Sequence, residues 1–230
     1  MSDYVFAPPP RPAVPVDGGG HFPVHRIYCV GLNYADHIRE FGRDPKASAP
    51  VFFMKPADAV VANGAAIPYP PRTASFHHEI ELVVAIGRGG SGIAPARALE
   101  HVFGYAAGND LTRRDLQKAA KDRGQPWDIS KGFDHSAPIA ALRPASRGHL
   151  SRGRIWLSVN GEPRQESDLG QMICDVPHLI AELSTFYTLE PGDLIFTGTP
   201  SGVGPLKPGD RIAGGIEGLE VLTNTIVAAT

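Results

Sequence analysis

The stretch RIWLSVNGEPRQE, residues 154–166, decides the fold. Asn160-Gly161 lies between two strand-like runs, and Asn-Gly best accepts the two positive φ angles of a tight antiparallel hairpin. Downstream the β character continues through DLIFTGT (193–199), RIAGGIEG (211–218) and LEVLTNTIVA (219–228). Pro-Gly-Asp turns at Pro191 and Pro208 introduce the first two of these. Upstream, RIYCVG (26–31), VFFM (51–54) and VFGYAAGND (102–110) read as further strands. EIELVVAI (79–86) begins in alternation and ends as an unbroken apolar run, a strand expected to start at a sheet edge and enter the core. A second Asn-Gly pair, Asn63-Gly64, predicts another type I′ hairpin between Val60 and Ile67.

Helices are few. Asn33 can cap one running through residues 34–40, residues 112–124 form a polar-faced one closed by Gly124, and a third falls near 175–187. The expected class is α+β, a mixed or antiparallel sheet with a few helices packed on it. Residues 1–20, with Pro8, Pro9, Pro10, Pro12, Pro15 and then Gly18, Gly19 and Gly20, read as a loosely tied arm ahead of a catalytic domain spanning 21–230.

The 230 residues suffice for one substantial core. The 42% hydrophobic and 20% charged content is that of a soluble globular protein. A net charge of −2 without a basic run argues against nucleic acid or an acidic membrane as partner. The counts of 26 Gly and 22 Pro demand many turns. Two cysteines, Cys29 and Cys174, make no disulfide framework, and no stretch approaches the ~20 apolar residues of a membrane span, so a cytoplasmic location is expected.

Gly87-Arg88-Gly89-Gly90-Ser91-Gly92 satisfies the dinucleotide-binding glycine pattern directly after a strand, with Asp110 downstream where a ribose-binding acid would stand. Pro95 follows too closely for the long helix that reading needs, so a glycine-rich turn is the expectation.

The chemistry-bearing residues begin with His77-His78-Glu79-Ile80-Glu81. On a strand Glu79 and Glu81 share one face, and two adjacent carboxylates repel unless a cation such as Mg2+ lies between them. A solvated strand face explains the pair equally well. Asp110, closing a strand, either adds a third carboxylate or caps the following helix. His37 and Glu40, three apart on a helix, form either a surface pair or a His polarised by a carboxylate into a general base. Lys131, in a glycine-kinked apolar segment, either steadies an oxyanion or pairs with Asp134. The glycine-rich loop Gly198-Thr199-Pro200-Ser201-Gly202-Val203-Gly204 lets backbone N–H groups approach an anion.

Five blocks occur in one order: residues 29–37; residues 77–81; Gly104-Tyr105 with Asn109 to Gln117; Trp127 with residues 131–134; and Thr197 to Gly204. Through them the chain, from about Arg26 to Val227, resembles the fumarylacetoacetate hydrolase family. The resemblance implies a mixed β-roll catalytic domain, usually homodimeric, with Mg2+ or Mn2+ held by Glu79, Glu81 and Asp110. It implies that His37 with Glu40 activates water from a helical lid, that Lys131 and Gln117 stabilise an oxyanion, and that Arg114 and Thr199 contact the substrate carboxylate. The implied reaction is hydrolysis of the C–C bond of a 2,4-dioxo acid of the acylpyruvate type, with fumarylpyruvate, an intermediate of aromatic breakdown, as the leading substrate. Oxaloacetate decarboxylation and dienoate hydration or isomerisation are rivals on the same site. The family's larger founding enzyme has a tyrosine where Lys121 falls, which puts an aromatic contact to substrate there in doubt.

Overall fold

The structure, a computed structural model, describes residues 4–36 and 50–229. The expected α+β class is what it shows, with four sheets and few helices among the described residues. Strands β1 (Ala13–Pro15) and β2 (His21–Pro23) form a hairpin, followed by β3 (Ile27–Gly31), β4 (Val51–Lys55), β5 (Val60–Ala62), β6 (Ala66–Pro68), β7 (Phe76–His78) and β8 (Ile80–Ile86). Next come β9 (Val102–Asn109), β10 (Thr112–Arg113), helix α1 (Arg114–Asp122), helix α2 (Asp128–Lys131), β11 (Ala137–Ile139) and β12 (Arg143–Pro144). The chain closes with β13 (Arg154–Val159), β14 (Glu162–Asp168), helix α3 (Val176–Phe186), β15 (Leu194–Phe196), β16 (Gly204–Leu206), β17 (Arg211–Ile216) and β18 (Leu222–Val227).

The largest sheet runs β4-β3-β15-β8-β9-β11-β5, with β12 also on β9. A second sheet runs β14-β13-β17-β18-β6, and a small one runs β10-β7-β16. Strand β8 pairs with β9 from Ile80 onward and with β15 only over Val83–Ala85, so it becomes interior to the sheet in its second half, and all seven of its residues are buried. Ile80, Leu82, Val84 and Ile86 pack into the core between the two large sheets, against Ile155, Leu157 and Ile212. Val83 and Ala85 face a second core with Cys29, Ile139 and Phe196. Each such aliphatic side chain contributes about 1.5–3 kcal/mol by leaving water, so β8 is held from both sides.

The 154–166 hairpin forms as read: β13 pairs with β14 and both turn residues have positive φ, 55° at Asn160 and 84° at Gly161. Asn63-Gly64 behaves differently. Gly64 has φ 82° and Ala65 N–H donates to the Ala62 carbonyl, so a turn is present. Its flanks part, however: β5 joins β11 in parallel while β6 joins β18 in the other large sheet. The turn sends the chain from one layer to the next because both flanking strands are better covered by distant partners. The glycine run at 87–92 is the turn expected, tied by Gly90 to Leu189 and by Gly92 to Ser184, with a short 3-10 turn at Pro95–His101 after it.

The boundary expected at residue 20 falls inside the β1–β2 hairpin. Val14 is fully buried and Asp17 N–H donates to the Leu142 carbonyl, so the proline-rich segment is tied down from about residue 13. Among the described residues no helix is long and apolar enough to cross a membrane.

Candidate active site

Glu79 lies in the link where the chain leaves β7, in the small sheet, for β8, in the large one. Its N–H donates to Asn109 Oδ1 at 2.7 Å, and its carbonyl accepts from Asp110 N–H at 2.8 Å. Those two bonds lock the start of β8 to the end of β9. Glu81, one pleat further along β8, stands opposite Gly108 of β9. The two strand ends therefore bring Glu79, Glu81 and Asp110 together, with one carboxylate oxygen of each within 4.8 Å of the others. All three are buried. The solvated-face and helix-cap alternatives are thereby excluded; the residue preceding α1 is Arg113.

Like charges this close in a dry site must be balanced. Lys131, at the end of α2, donates to Glu79 Oε2 at 2.7 Å and to Asp110 Oδ2 at 2.6 Å, rather than pairing with Asp134. Burial alone would drive its ammonium pKa down, but Asp110 and Glu79 outweigh that and hold it above the ordinary lysine value. Lys55, at the end of β4, places Nζ 2.8 Å from Asp110 Oδ1 and donates to the backbone carbonyls of Leu111, at 3.2 Å, and of Lys131. Arg114, the first residue of α1, pairs with Glu79 and donates to Gln117 Oε1 at 2.6 Å.

Glu81 is the exception. The donor it engages is the backbone N–H of Gly198, at 2.8 Å from Oε2. Burial first, then Asp110 and Glu79, push its carboxyl well above the usual range. The glycine-rich loop does bring a backbone N–H to an acidic group, the carboxyl of Glu81. Gly198 has φ 100°, and a Cβ there would lie 2.7 Å from the Asn33 Cβ, so both conformation and space call for glycine.

The triad lines a cleft together with Arg114, Gln117, Lys121, Trp127, Lys131 and Thr199. Thr199 Oγ1 accepts from Gln165 Nε2 at 2.8 Å, which leaves its hydroxyl proton to donate elsewhere. Of the residues singled out from sequence, seven therefore meet in one place: Glu79, Glu81, Asp110, Arg114, Gln117, Lys131 and Thr199. His37 and Glu40 lie outside the described residues.

The donor set suits a hard divalent cation. It is all oxygen: three buried carboxylates, one oxygen of each within 4.8 Å of the others. Glu81, which no side-chain cation pairs with among the described residues, is the carboxyl that such an ion would most relieve.

Several supporting residues were not foreseen. Lys55 ends the apolar run VFFMK, and a lysine finishing a buried strand is a signal that could have been heeded. Gln165 accepts from Ile80 N–H, is bonded to His78 Nδ1 and donates to Thr199 and the Pro200 carbonyl, joining β14 to the floor of the site. Asn33 is buried, donates to the carbonyls of Cys174 and Thr197, and accepts from Cys174 N–H, while the helix expected after it runs largely outside the described residues.

A mixed sheet whose strand ends converge three buried carboxylates on a charged cleft defines a class of site that could hold a divalent metal ion. The particular family follows from comparison. The family model described as fumarylacetoacetate (FAA) hydrolase C-terminal matches residues 26–227, and the chain belongs to that family. The crystal structure of fumarylpyruvate hydrolase from Pseudomonas aeruginosa in complex with Mn2+ and pyruvate superposes with a TM-score of 0.97 at 50% identity, over 98% of this chain and 100% of that one. The fumarylpyruvate hydrolase of Ralstonia sp is 43% identical over 80% of this chain and 95% of its own length. The mitochondrial oxaloacetate tautomerase of Homo sapiens is 44% identical over 86% of this chain and 89% of its own. The acidic triad and the Mn2+ of the Pseudomonas structure point together to a divalent metal.

Proposed function

We propose that this chain hydrolyses the carbon–carbon bond of a 2,4-dioxo acid of the acylpyruvate type, with fumarylpyruvate, split to fumarate and pyruvate, as its substrate in aromatic breakdown. The observation that carries the reading is the convergence of Glu79, Glu81 and Asp110 at the floor of a cleft that also presents Lys131, Arg114, Gln117 and Thr199. The fumarylpyruvate hydrolase relatives support the choice of substrate.

Mg2+ or Mn2+ held by Glu79, Glu81 and Asp110 would supply Lewis-acid charge where negative charge develops. The chain's own groups do the rest. Arg114 and the Thr199 hydroxyl take the carboxylate end of the substrate and fix its orientation. His37, polarised by Glu40, removes a proton from water as the water oxygen bonds to the C4 carbonyl carbon. Gln117, whose Oε1 is held by Arg114, offers its Nε2 to the resulting oxyanion, and the Lys131 ammonium adds positive charge beside it. Collapse breaks C3–C4. The electron pair leaves on the pyruvate fragment as its enolate, and the imidazolium of His37 returns the proton to C3.

Pyruvate release from fumarylpyruvate and acetylpyruvate, with and without chelator, tests the reading; turnover that survives complete chelation would overturn it. A second reading, tautomerisation or decarboxylation of oxaloacetate, is favoured by the human relative, and oxaloacetate in the same panel discriminates. We further read the protein as a cytoplasmic homodimer. Exposed Met54 on edge strand β4, with Phe186 and Ile129 also exposed, supports a partner surface, which sedimentation would test.

A further inference from the structure

Strand β14 is exposed through Glu162, Pro163 and Arg164, and Gln165 is its one buried residue. The β13–β14 ladder pairs Leu157 with Gln165 but Ser158 with Pro163, which leaves Arg164 as an extra residue. Such a bulge bends the strand and re-aims a side chain, here that of Gln165 into the interior. The glycine-rich loop lies directly on the bulge: a Cβ on Gly202, φ 92°, would run into the Arg164 carbonyl.

Two backbone groups fix which way the Gln165 amide points. Ile80 N–H can only donate, so the atom 3.1 Å from it is the amide oxygen. The Pro200 carbonyl can only accept, so the atom 2.9 Å from it is the amide nitrogen. Both demand the same orientation. Oε1 also meets His78 Nδ1 at 2.8 Å, which must then carry the proton. The second N–H of Nε2 goes to Thr199 Oγ1, at 2.8 Å. Both lone pairs and both hydrogens of the amide are thus engaged, and it has no second way to sit.

Thr199 Oγ1 therefore accepts from behind, and its one proton is left for another partner. Thr199 lines the cleft, whereas Gln165 does not. The hydroxyl consequently presents a donor to the cleft rather than a lone pair. An ionised carboxylate offers acceptors alone and fits such a donor.

We infer that Gln165 is a positioning residue, whose amide holds the Thr199 hydroxyl as a hydrogen-bond donor toward the cleft and so favours a carboxylate there. This rests on the proposed contact between Thr199 and the substrate carboxylate, and it adds the group that sets the direction of that contact. Without the amide the hydroxyl is free among three staggered positions, of which one aims at the carboxylate.

The test is a double-mutant cycle read by calorimetric titration of pyruvate into the Mn2+-loaded parent, Gln165→Met, Thr199→Val and the double variant. Thr199→Val should weaken pyruvate binding roughly tenfold to hundredfold, the loss of a hydrogen bond to a charged group. Gln165→Met should weaken it roughly threefold to tenfold. The double variant should bind no worse than Thr199→Val alone, since the amide acts through the hydroxyl. In Gln165→Met, KM for fumarylpyruvate should rise with kcat kept, and the Kd for Mn2+ should stay at the parent value. If Gln165→Met does not fold, Gln165→Glu at alkaline pH takes its place in the cycle. It keeps an oxygen for Ile80 N–H and His78 and sets a second oxygen against Thr199, which turns the hydroxyl proton away from the cleft.

Pyruvate affinity unchanged by the Gln165 substitution, losses that multiply in the double variant, or Mn2+ affinity falling in step with pyruvate affinity would each overturn the assignment. If Thr199→Val binds pyruvate as the parent does while acylpyruvate hydrolysis persists, the hydrolysis reading stands and the inference falls. If the parent hydrolyses neither fumarylpyruvate nor acetylpyruvate, the functional reading itself fails, and the inference with it.

Discussion

Replacing Lys131 with methionine probes the charge balance on which the site depends. The side chain is 2% exposed, and its ammonium lies 2.7 Å from Glu79 and 2.6 Å from Asp110. Methionine fills nearly the same volume, so the loss is one positive charge and two charge-assisted hydrogen bonds. Removing one partner of a buried ion pair costs about 3–5 kcal/mol, because the other partner stays behind uncompensated. At 2–4 °C per kcal/mol for a domain of this size, the Tm in chelator should fall by roughly 6–20 °C. The same carboxylates are then freer to bind a cation. A divalent ion at about a hundred times its Kd stabilises a protein by about 2.7 kcal/mol, or roughly 5–11 °C here. Since Lys131 no longer competes for Glu79 and Asp110, the rise on adding Mn2+ should be larger in the variant than in the parent. Differential scanning calorimetry of both proteins, in EDTA and across a Mn2+ titration, measures all four states. A variant as stable as the parent in EDTA, or a Mn2+ shift no larger than the parent's, would refute the view that Lys131 and the metal answer to the same carboxylates.

Glu81→Ala should abolish Mn2+ binding by calorimetric titration while the fold is kept, since Glu81 engages a single backbone N–H in place of a salt bridge; unchanged affinity would remove it from the ligand set. His37→Ala should lower kcat by a general-base factor of ~10²–10⁴ with metal binding retained, read by steady-state pyruvate release; full activity would remove His37 from the mechanism. Gly108→Ala should destabilise by about 1–3 kcal/mol in urea unfolding, because a Cβ opposite Glu81 would lie 2.5 Å from Val83 Cγ2 and 2.8 Å from Phe196 Cε1.

Local signals and long-range ones differed sharply in how legible they were. The hairpin at Asn160-Gly161 depends on two φ angles that neighbouring residues dictate, and it forms as read. Helix α3 begins where Asp175 accepts from His178 N–H, a cap within reach of spacing alone. The two Pro-Gly-Asp turns are built alike, with Asp193 accepting from Glu190 N–H and Asp210 from Lys207 N–H. Asn63-Gly64 carries the same local signal as Asn160-Gly161, yet its flanks pair with β11 and β18, more than seventy residues away in the chain. No property of residues 60–68 encodes those partners. The site follows the same division. Period-two alternation places Glu79 and Glu81 on one face, but the approach of Asp110 depends on the β8–β9 register, and that of Lys55 and Lys131 on how β4 and α2 settle against it. Only the ordered set of five blocks carried that information, through resemblance rather than spacing.

The arrangement also explains why these charges sit in the core at all. A buried ion cluster is a weak source of stability, since desolvation offsets most of its Coulomb gain. Hydrophobic residues of the same volume would hold β8, β9 and α2 together as well or better. What they would not do is leave one carboxylate, Glu81, without a side-chain cation among the described residues, beside two carboxylates already fixed by lysine and arginine. Lys131, Lys55 and Arg114 stabilise the cluster enough to fold around, and the remaining imbalance is what a divalent cation would meet. Full neutralisation by protein groups would give a sturdier core with little affinity for metal, whereas fewer internal cations would leave the strand ends to repel. The three cations against three acids, unevenly shared, are a compromise between those two failures.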